Sequence, residues 1–351
     1  MSTRLVLDRA LRIAAVTTAV LATGCGGGGD GGPPPPPPPQ LIQITAVNQD
    51  AVARATVATF FSMTGIRALP VAPSPAPQAA VAGVNDLALR ALAKVTAPDR
   101  GAVPKLGRLT VYTDTFACTL GGSMRLDFDD RDENRLVSAG DVLTITFSQC
   151  TEDVDTMISG GLSLAIASAA ETATTLQMSG TFTYQQLTIV DAGYTSAING
   201  AMSSAYTESI DPAGTLTVRL ESTVIGSGLM AAGSTPVVTD TFTYDAGFRS
   251  LSTEVTPATP TPPAFSTIVL NGTVHVSSLG GRITLVMDPM LPVRDTVGQP
   301  YPDSGQVTVL GNASRLRLTV MDTVRVRVEL DANNDGAFEA TRELLWVDLM
   351  P

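Results

Sequence analysis

The chain has very little of the chemistry that most enzymes use. Its 351 residues include one histidine, His275, three cysteines and one tryptophan, Trp346. A catalytic serine or cysteine needs a histidine base, and His275 lies in the alternating run 273–276, which is typical of a packed or surface strand residue. A zinc centre is disfavoured because there is no second histidine and the thiols are expected to pair. We therefore predict no catalytic residue, and we expect Trp346 to anchor the core.

Positive charge is also scarce. The chain has 22 Lys and Arg residues against 33 Asp and Glu residues, which gives a net charge of −11. An acidic surface repels the phosphates of nucleic acids and the headgroups of anionic lipids. We expect no nucleic-acid partner, and attachment to a membrane must depend on something other than surface charge.

The N-terminal segment carries a short apolar stretch instead of a membrane span. Three arginines precede the mostly apolar residues 13–22, and two small residues then lead to Cys25. A bilayer core needs about twenty apolar residues, so this layout favours a cleaved secretory signal over a transmembrane anchor. We predict a signal peptide over residues 1–24. Its removal takes away three arginines and one aspartate, which moves the net charge from −11 to −13.

The run Leu-Ala-Thr-Gly-Cys at 21–25 resembles a lipobox, with Ala22 where leucine is usual. Together with the glycine and proline tether that follows, it is similar to many uncharacterised lipoproteins of proteobacteria. The resemblance implies that the mature chain begins at Cys25, which carries a diacylglyceryl thioether and an acylated amino group with chains such as palmitate. Several acyl chains anchor a protein stably. Gly26 stands where aspartate would resemble an inner-membrane retention signal, so we expect a lipid-anchored outer-membrane protein of the cell envelope, facing the periplasm or the cell surface.

Composition divides the mature chain into three parts. Residues 25–43 form the lipidated cysteine and a Gly/Pro tether, whose seven consecutive prolines span roughly 22 Å as a polyproline helix. Residues 44–105 are helical and Pro-rich, with helices predicted over 44–66 and 85–95. These helices form either a lid or docking element, or a cap over one end of a sheet. Residues 106–351 form a β-rich domain.

The β-rich part alternates apolar and polar residues, for example in 109–113, 142–147 and 215–220. Threonine and valine are abundant and glycines punctuate the runs, which indicates strands. The predicted fold is mainly β: an antiparallel meander of about a dozen strands that forms a barrel or a curved sheet, with two short N-terminal helices. Asn199-Gly200 and Asn271-Gly272 are interpreted as hairpin turns.

Cys118 and Cys150 are the two thiols left once Cys25 is lipidated. An even pair in an oxidising envelope predicts a disulfide. If the strands at 108–118, 122–129 and 141–149 pair in order, the first and third lie about 9.6 Å apart, whereas a disulfide needs Cα atoms within about 7 Å. Either one cysteine lies beyond its strand end and bends across, or the middle strand does not lie between them.

The segment 331–339 has the spacing of a calcium loop. Oxygen-bearing side chains stand at its first, third and fifth positions, a glycine at the sixth allows a sharp turn, and a carbonyl at the seventh adds a ligand. It resembles the calcium loops of EF-hand and dockerin-like proteins over nine residues, but Arg342 stands at the twelfth position, where a bidentate Glu is usual. Glu339 or Glu343 is the replacement, and binding is expected to be weak, with Kd about 10⁻⁴ to 10⁻³ M. The predicted ligands are Asp331, Asn333, Asp335, Ala337 and Glu339; the alternative is an Asx-rich turn with no metal.

A second segment, 130–141, fits the twelve-residue calcium pattern at all its side-chain positions. Arg135 replaces the turn glycine, and its charge opposes a cation. The predicted ligands are Asp130, Asp132, Asn134, Ser138 and Asp141; the alternative is a solvated acidic turn. In either loop we expect Ca²⁺ to stiffen the structure, and no other cofactor is implied.

Three classes of function follow from these features. The first is a lipid-anchored envelope protein with a non-enzymatic binding or structural role. The second is a periplasmic carrier of apolar ligands in a β-barrel lumen, and the third is a carboxylate-dependent hydrolase. A filled interior favours the first, an apolar cavity the second, and converging carboxylates in a polar cleft the third.

Overall fold

The computed structural model shows one antiparallel sheet of sixteen strands that carries a buried helix. The residues that it describes are 40–64, 111–134, 137–151, 156–172, 174–191, 194–234, 239–259 and 261–349. The strands are β1 (Val111–Ala117), β2 (Gly121–Asp129), β3 (Val142–Thr151), β4 (Thr156–Glu171), β5 (Thr175–Asp191), β6 (Tyr194–Ile210), β7 (Leu216–Ser234), β8 (Thr239–Tyr244), β9 (Arg249–Thr256), β10 (Phe265–Val276), β11 (Gly281–Val286), β12 (Val293–Thr296), β13 (Gln306–Gly311), β14 (Ser314–Val320), β15 (Arg325–Asp331) and β16 (Ala340–Leu345). The helices are α1 (Gln49–Thr64), the four-residue α2 (Trp346–Leu349) and a 3₁₀ turn (Ser277–Leu279).

The strands follow the chain across the sheet as a meander. Each strand from β1 to β7 pairs with the next, and the order continues through β8, β10, β11, β13, β14, β15 and β16. This confirms the predicted antiparallel, β-rich fold. Within the described ranges, β1 and β16 are edge strands of an open sheet, so a closed barrel does not form there. The same residues contain no helix long and apolar enough to cross a membrane.

The strand number exceeds the expected dozen partly because two positions in the sheet each hold two short strands. β9 pairs with β7 over 216–223 and β8 pairs with β7 over 229–234, so the two lie end to end between β7 and β10. The segment 245–248 bulges between them. β12 and β11 share the opposite side of β10 in the same way.

The Asn-Gly pairs lie inside strands, so their interpretation as hairpin turns is wrong. Asn199-Gly200 is in β6, beside a register shift in the pairing with β7. Asn271-Gly272 is in β10, opposite the 245–248 bulge, and a Cβ on Gly272 would lie 2.6 Å from the Cα of Phe248. The Asn271 amide oxygen accepts a hydrogen bond from the backbone N–H of Met287 at 3.0 Å. Glycine therefore makes room for a bulge here and does not reverse the chain.

Helix α1 is a core element that packs against the sheet, and it lies within the segment where the first N-terminal helix was predicted. It contacts β9, β10, β14 and α2, so the sheet curves around it. Val52 and Ala53 are fully buried, and the buried Thr56 and Thr59 donate their hydroxyls to carbonyls four residues earlier. Helix and sheet share one continuous apolar core. The second predicted helix, 85–95, lies outside the described residues.

The last residues of the predicted tether are docked on the sheet. Ile42 donates its N–H to the carbonyl of Arg282 at 3.0 Å, and its own carbonyl accepts from Asn312 at 2.6 Å. Ile44 is fully buried and donates its N–H to Ser314 Oγ at 2.7 Å. The chain therefore enters the fold at the end of the sheet formed by β11, β13 and β14.

Candidate metal-binding loops

The segment 331–339 connects β15 to β16 and brings three predicted ligands together. Oxygen atoms of Asp331, Asp335 and Glu339 lie within 4.8 Å of one another. Gly336 has φ 100°, which confirms the expected role of glycine at the sixth position. Asn333 contacts Asp335, with Nδ2 3.1 Å from Oδ2. Ala337 donates its N–H to Asp335 Oδ1 at 2.8 Å. All five predicted ligand residues therefore lie in one compact loop.

Backbone donors already stabilise the charge of Asp331, whose side chain is fully buried. Burial alone opposes its ionisation, but hydrogen bonds from the N–H groups of Gly336, Asn334 and Asp335, with the Arg315 guanidinium, hold its pKa below the usual range. Glu339 Oε2 accepts from the N–H of Ala332 at 2.8 Å. The acidic side chains thus organise the turn that carries them.

The two residues that depart from the calcium pattern have other partners. Arg342, at the twelfth position, pairs with Asp50 of α1, with Nη1 3.1 Å from Oδ2. Glu343, proposed as a replacement ligand, contacts Arg325 at 3.5 Å and Arg327 at 3.6 Å on β15. Glu343 is therefore not part of the cluster, and Glu339 is the remaining candidate for the replacement.

The segment 130–141 connects β2 to β3 and forms the second cluster. Oxygen atoms of Asp130, Asp132 and Asp141 lie within 4.8 Å of one another, and Asp141 is fully buried. Asp141 accepts from the N–H of Arg131 at 3.0 Å and from the N–H of Ser138 at 2.7 Å. Asn134 donates Nδ2 to Asp132 Oδ2 at 2.7 Å. All five predicted ligand residues are brought together, whereas Arg135 lies outside the described residues.

The two loops share a hydrogen-bond pattern although they lie on different hairpins. In both, the N–H of the fifth residue donates to the first side chain and to the third. For Asn134 these distances are 3.2 Å and 3.2 Å, and for Asp335 they are 3.1 Å and 3.0 Å. The fourth residue is left-handed in each, with φ 58° at Glu133 and φ 60° at Asn334. Similar spacing in the sequence has therefore produced similar turns.

The Cys118–Cys150 disulfide is present, with Cα atoms 5.4 Å apart. β2 does lie between β1 and β3, so the first of the two geometric alternatives is confirmed: Cys118 follows the end of β1 and bends across. Its N–H reaches Gly122 O, and the N–H of Leu120 reaches Thr151 O at 2.8 Å. Register shifts in the β2–β3 and β3–β4 pairings accompany this crossing.

Of the remaining sequence candidates, His275 and Trp346 lie within the described residues. His275 is half-buried on β10, opposite Arg282 and Thr243. Trp346 is 5% exposed and stacks on Tyr301 with ring centroids 5.9 Å apart, which confirms the prediction of a core anchor. Cys25 lies outside the described residues.

Two polar groups with unusual surroundings, the half-buried Asp295 and the buried Tyr184, were not found from the sequence. Burial, with the neighbouring charge of Asp303, raises the pKa of Asp295 to about 6. Tyr184 is 3% exposed, and its hydroxyl has no hydrogen-bond partner in the described structure. Tyr184 stands in an ordinary alternating strand segment and Asp295 in a four-residue strand, and the sequence carries no signal that separates either from its neighbours.

Comparison of this chain with known proteins does not connect it to a family. No protein-family model, no curated protein and no solved structure matches it.

Proposed function

We propose that this chain is a lipid-anchored protein of the bacterial cell envelope with a non-enzymatic binding or structural role. The Cys118–Cys150 disulfide is the observation that carries the proposal, because stable disulfides form in exported proteins and are rare in the cytosol. The continuous core that joins α1 to the sheet supports a solid scaffold. The acidic net charge leaves the acyl chains on Cys25 as the means of membrane attachment.

The anchor is tested by expressing the chain with its signal in a proteobacterium and fractionating the membranes. We expect mass spectrometry of the mature amino terminus to find acylated Cys25, and the protein to enter the outer-membrane fraction. The variant Cys25→Ser should remain uncleaved or lose the acyl mass, whereas Cys118→Ser should keep it. An unmodified Cys25 in the mature wild-type protein contradicts the proposal.

Calcium is the proposed ion for the Asp130, Asp132 and Asp141 cluster. Desolvation within the cluster opposes the charge of the exposed Asp132, but hydrogen bonds from Ser138, Asn134 and Asp130 lower its pKa. Carboxylates in contact repel one another unless a proton or a cation lies between them. Hard oxygen ligands at this spacing suit Ca²⁺, and calcium would tie the β2–β3 connection together. In the 331–339 loop, by contrast, a metal would have to compete with Arg315 for Asp331.

A second candidate function, transport of an apolar ligand, is favoured by Tyr184. Its hydroxyl is buried in the apolar interior without a partner among the described residues, and an unmade hydrogen bond of this kind costs about 1–3 kcal/mol. A ligand with one polar atom would satisfy it. Native mass spectrometry of protein purified from membranes tests this function: a bound lipid that is lost in Tyr184→Phe supports transport, and an empty protein opposes it.

A further inference from the structure

Arg315 lies beside the turn of the 331–339 loop. It is the direct cross-strand partner of Asp331 on neighbouring strands, and its Nη2 lies 2.9 Å from Asp331 Oδ2. A Cβ on Gly336 would lie 3.8 Å from the same Nη2, so the guanidinium reaches the turn itself. The adjacent Ser314 is held by the docked N-terminal segment through Ile44. Strand pairing and the contact at Ser314 therefore fix the backbone that carries Arg315.

The loop also contacts the guanidinium through an aromatic ring. The ring of Phe338 lies below Arg315, with Cζ 5.1 Å from the ring centroid, and below Arg317, with Cζ 4.1 Å from it. A cation over an aromatic face is attracted by the ring quadrupole. Arg317 forms an ion pair with Glu329 at 2.7 Å. Of these two arginines, Arg315 is therefore the one that pairs with a carboxylate of the loop.

Asp331 has little capacity left for a metal. Its Oδ2 forms the ion pair with Arg315 and accepts from the N–H of Gly336 at 3.0 Å, and its Oδ1 accepts from the N–H of Asp335 at 3.1 Å. A carboxylate offers about four lone-pair positions. In a calcium loop the first aspartate is a metal ligand, but here its oxygens are already directed to a cation and to the backbone of its own turn.

We propose that Arg315 is the resident cation of the 331–339 loop, taking the place that calcium takes in the loops it resembles. The loop then keeps its fold without metal. The twelfth position fits this role, because the loop does not need a bidentate Glu there and Arg342 instead pairs with Asp50 of α1. The 130–141 loop differs, since its internal Arg131 pairs with Asp129 at 3.0 Å outside the cluster.

Hydrogen exchange at single-residue resolution tests the proposal on the full mature chain. In the wild type, the amides of Asp335 and Gly336 should exchange at the same rate in EDTA and in 10 mM calcium. In Arg315→Gln they should exchange at least tenfold faster in EDTA, because Asp331 loses its counter-ion. Arg317→Gln is the matched control, since it also lies over Phe338 but should leave both amides protected.

Three results would overturn the proposal. The first is a wild-type loop whose exchange rises tenfold when EDTA removes calcium, and the second is an Arg315→Gln loop as protected as the wild type. The third is an Arg315→Lys variant, which keeps the positive charge, whose loop amides exchange as fast as those of Arg315→Gln. If Arg315→Gln unfolds, the wild-type comparison of exchange rates in EDTA and in calcium still tests the proposal. The 130–141 amides, followed in the same samples, report separately on the calcium proposed there.

Discussion

Arg342 and Asp50 form an ion pair at 3.1 Å that joins the last strand to the buried helix, across 292 residues of sequence. Arg342 stands at the twelfth position of the calcium pattern, where a bidentate Glu would bind the metal. Its side chain is directed to α1, and its neighbour Glu343 contacts Arg325 and Arg327 on β15. Arg342 therefore occupies the ligand position of a calcium loop but instead joins the helix to the sheet.

The substitution Arg342→Glu, which restores the consensus ligand, should destabilise the protein and should not improve calcium binding. It places two carboxylates together at the helix, and because both partners are half-exposed we expect a loss of about 1 kcal/mol. Urea unfolding with and without calcium measures both effects. The charge reversal Asp50→Lys in the same protein should restore the stability. A gain in calcium affinity from Arg342→Glu alone would contradict this assignment.

Loss of the disulfide should cost more than any single ion pair. Cys118 and Cys150 are separated by 32 residues, and closing such a loop stabilises the fold by about 3–4 kcal/mol in the chain-entropy model. The double variant Cys118→Ala/Cys150→Ala should unfold at lower urea, and so should the wild type after reduction. The reductant should not change the midpoint of the double variant. Equal midpoints for oxidised wild type and double variant would show that the bond contributes nothing.

Calcium should stabilise the protein through the 130–141 loop. At a calcium concentration ten times Kd, binding to the folded state alone adds about 1.4 kcal/mol. The thermal midpoint should rise in millimolar calcium, and Asp132→Asn should abolish the rise. Asp129→Asn is the matched control, because Asp129 pairs with Arg131 beside the cluster and should leave the calcium effect intact. An unchanged wild-type midpoint at 10 mM calcium would reject the site.

Asp295 should destabilise the fold near neutral pH. Its folded pKa of about 6 exceeds the ordinary value of 3.8, so the charged form is disfavoured in the folded state. The resulting penalty is absent below about pH 4 and complete above about pH 6. Asp295→Asn should therefore stabilise the protein by about 1 kcal/mol at pH 7, an amount reduced by solvent because the residue is only half-buried, and by little at pH 4. A pH-independent effect in urea unfolding would contradict this explanation.

The sequence was sufficient for features that a local pattern or a residue count reveals. The calcium-like turns follow from Asx residues spaced two apart, because their side chains bond to backbone N–H groups of the same turn. The disulfide followed from counting thiols, and the strands followed from alternation. Arg315 and Arg342 could not be assigned in this way, since their partners lie on other elements and depend on the register of the sheet.

The Asn-Gly pairs show a different limit of the sequence. In isolation, Asn-Gly between alternating residues favours a two-residue hairpin. At Asn271-Gly272 the chain continues as β10, because the bulge at 245–248 needs a strand without a Cβ beside it. A glycine can either reverse the chain or leave space for a neighbouring strand, depending on which residues lie opposite it. For Gly272 those residues are in the 245–248 bulge, more than twenty residues earlier in the sequence.

Gly272→Ala should for this reason be among the most damaging small substitutions in the sheet. The new methyl group would lie 2.6 Å from the Cα of Phe248 and 2.8 Å from its ring, and the backbone has φ 138°. Phe248 is 1% exposed and packs edge-on against Tyr244, so it cannot move away cheaply. We expect the free energy of unfolding to fall by about 3 kcal/mol from overpacking and backbone strain together.

Gly247→Ala is the control, because Gly247 lies in the same bulge with φ 88° but has open space around it. It isolates the backbone cost and should lower the free energy of unfolding by about 1 kcal/mol. Equal losses in urea unfolding would show that Phe248 does not need the space that Gly272 leaves.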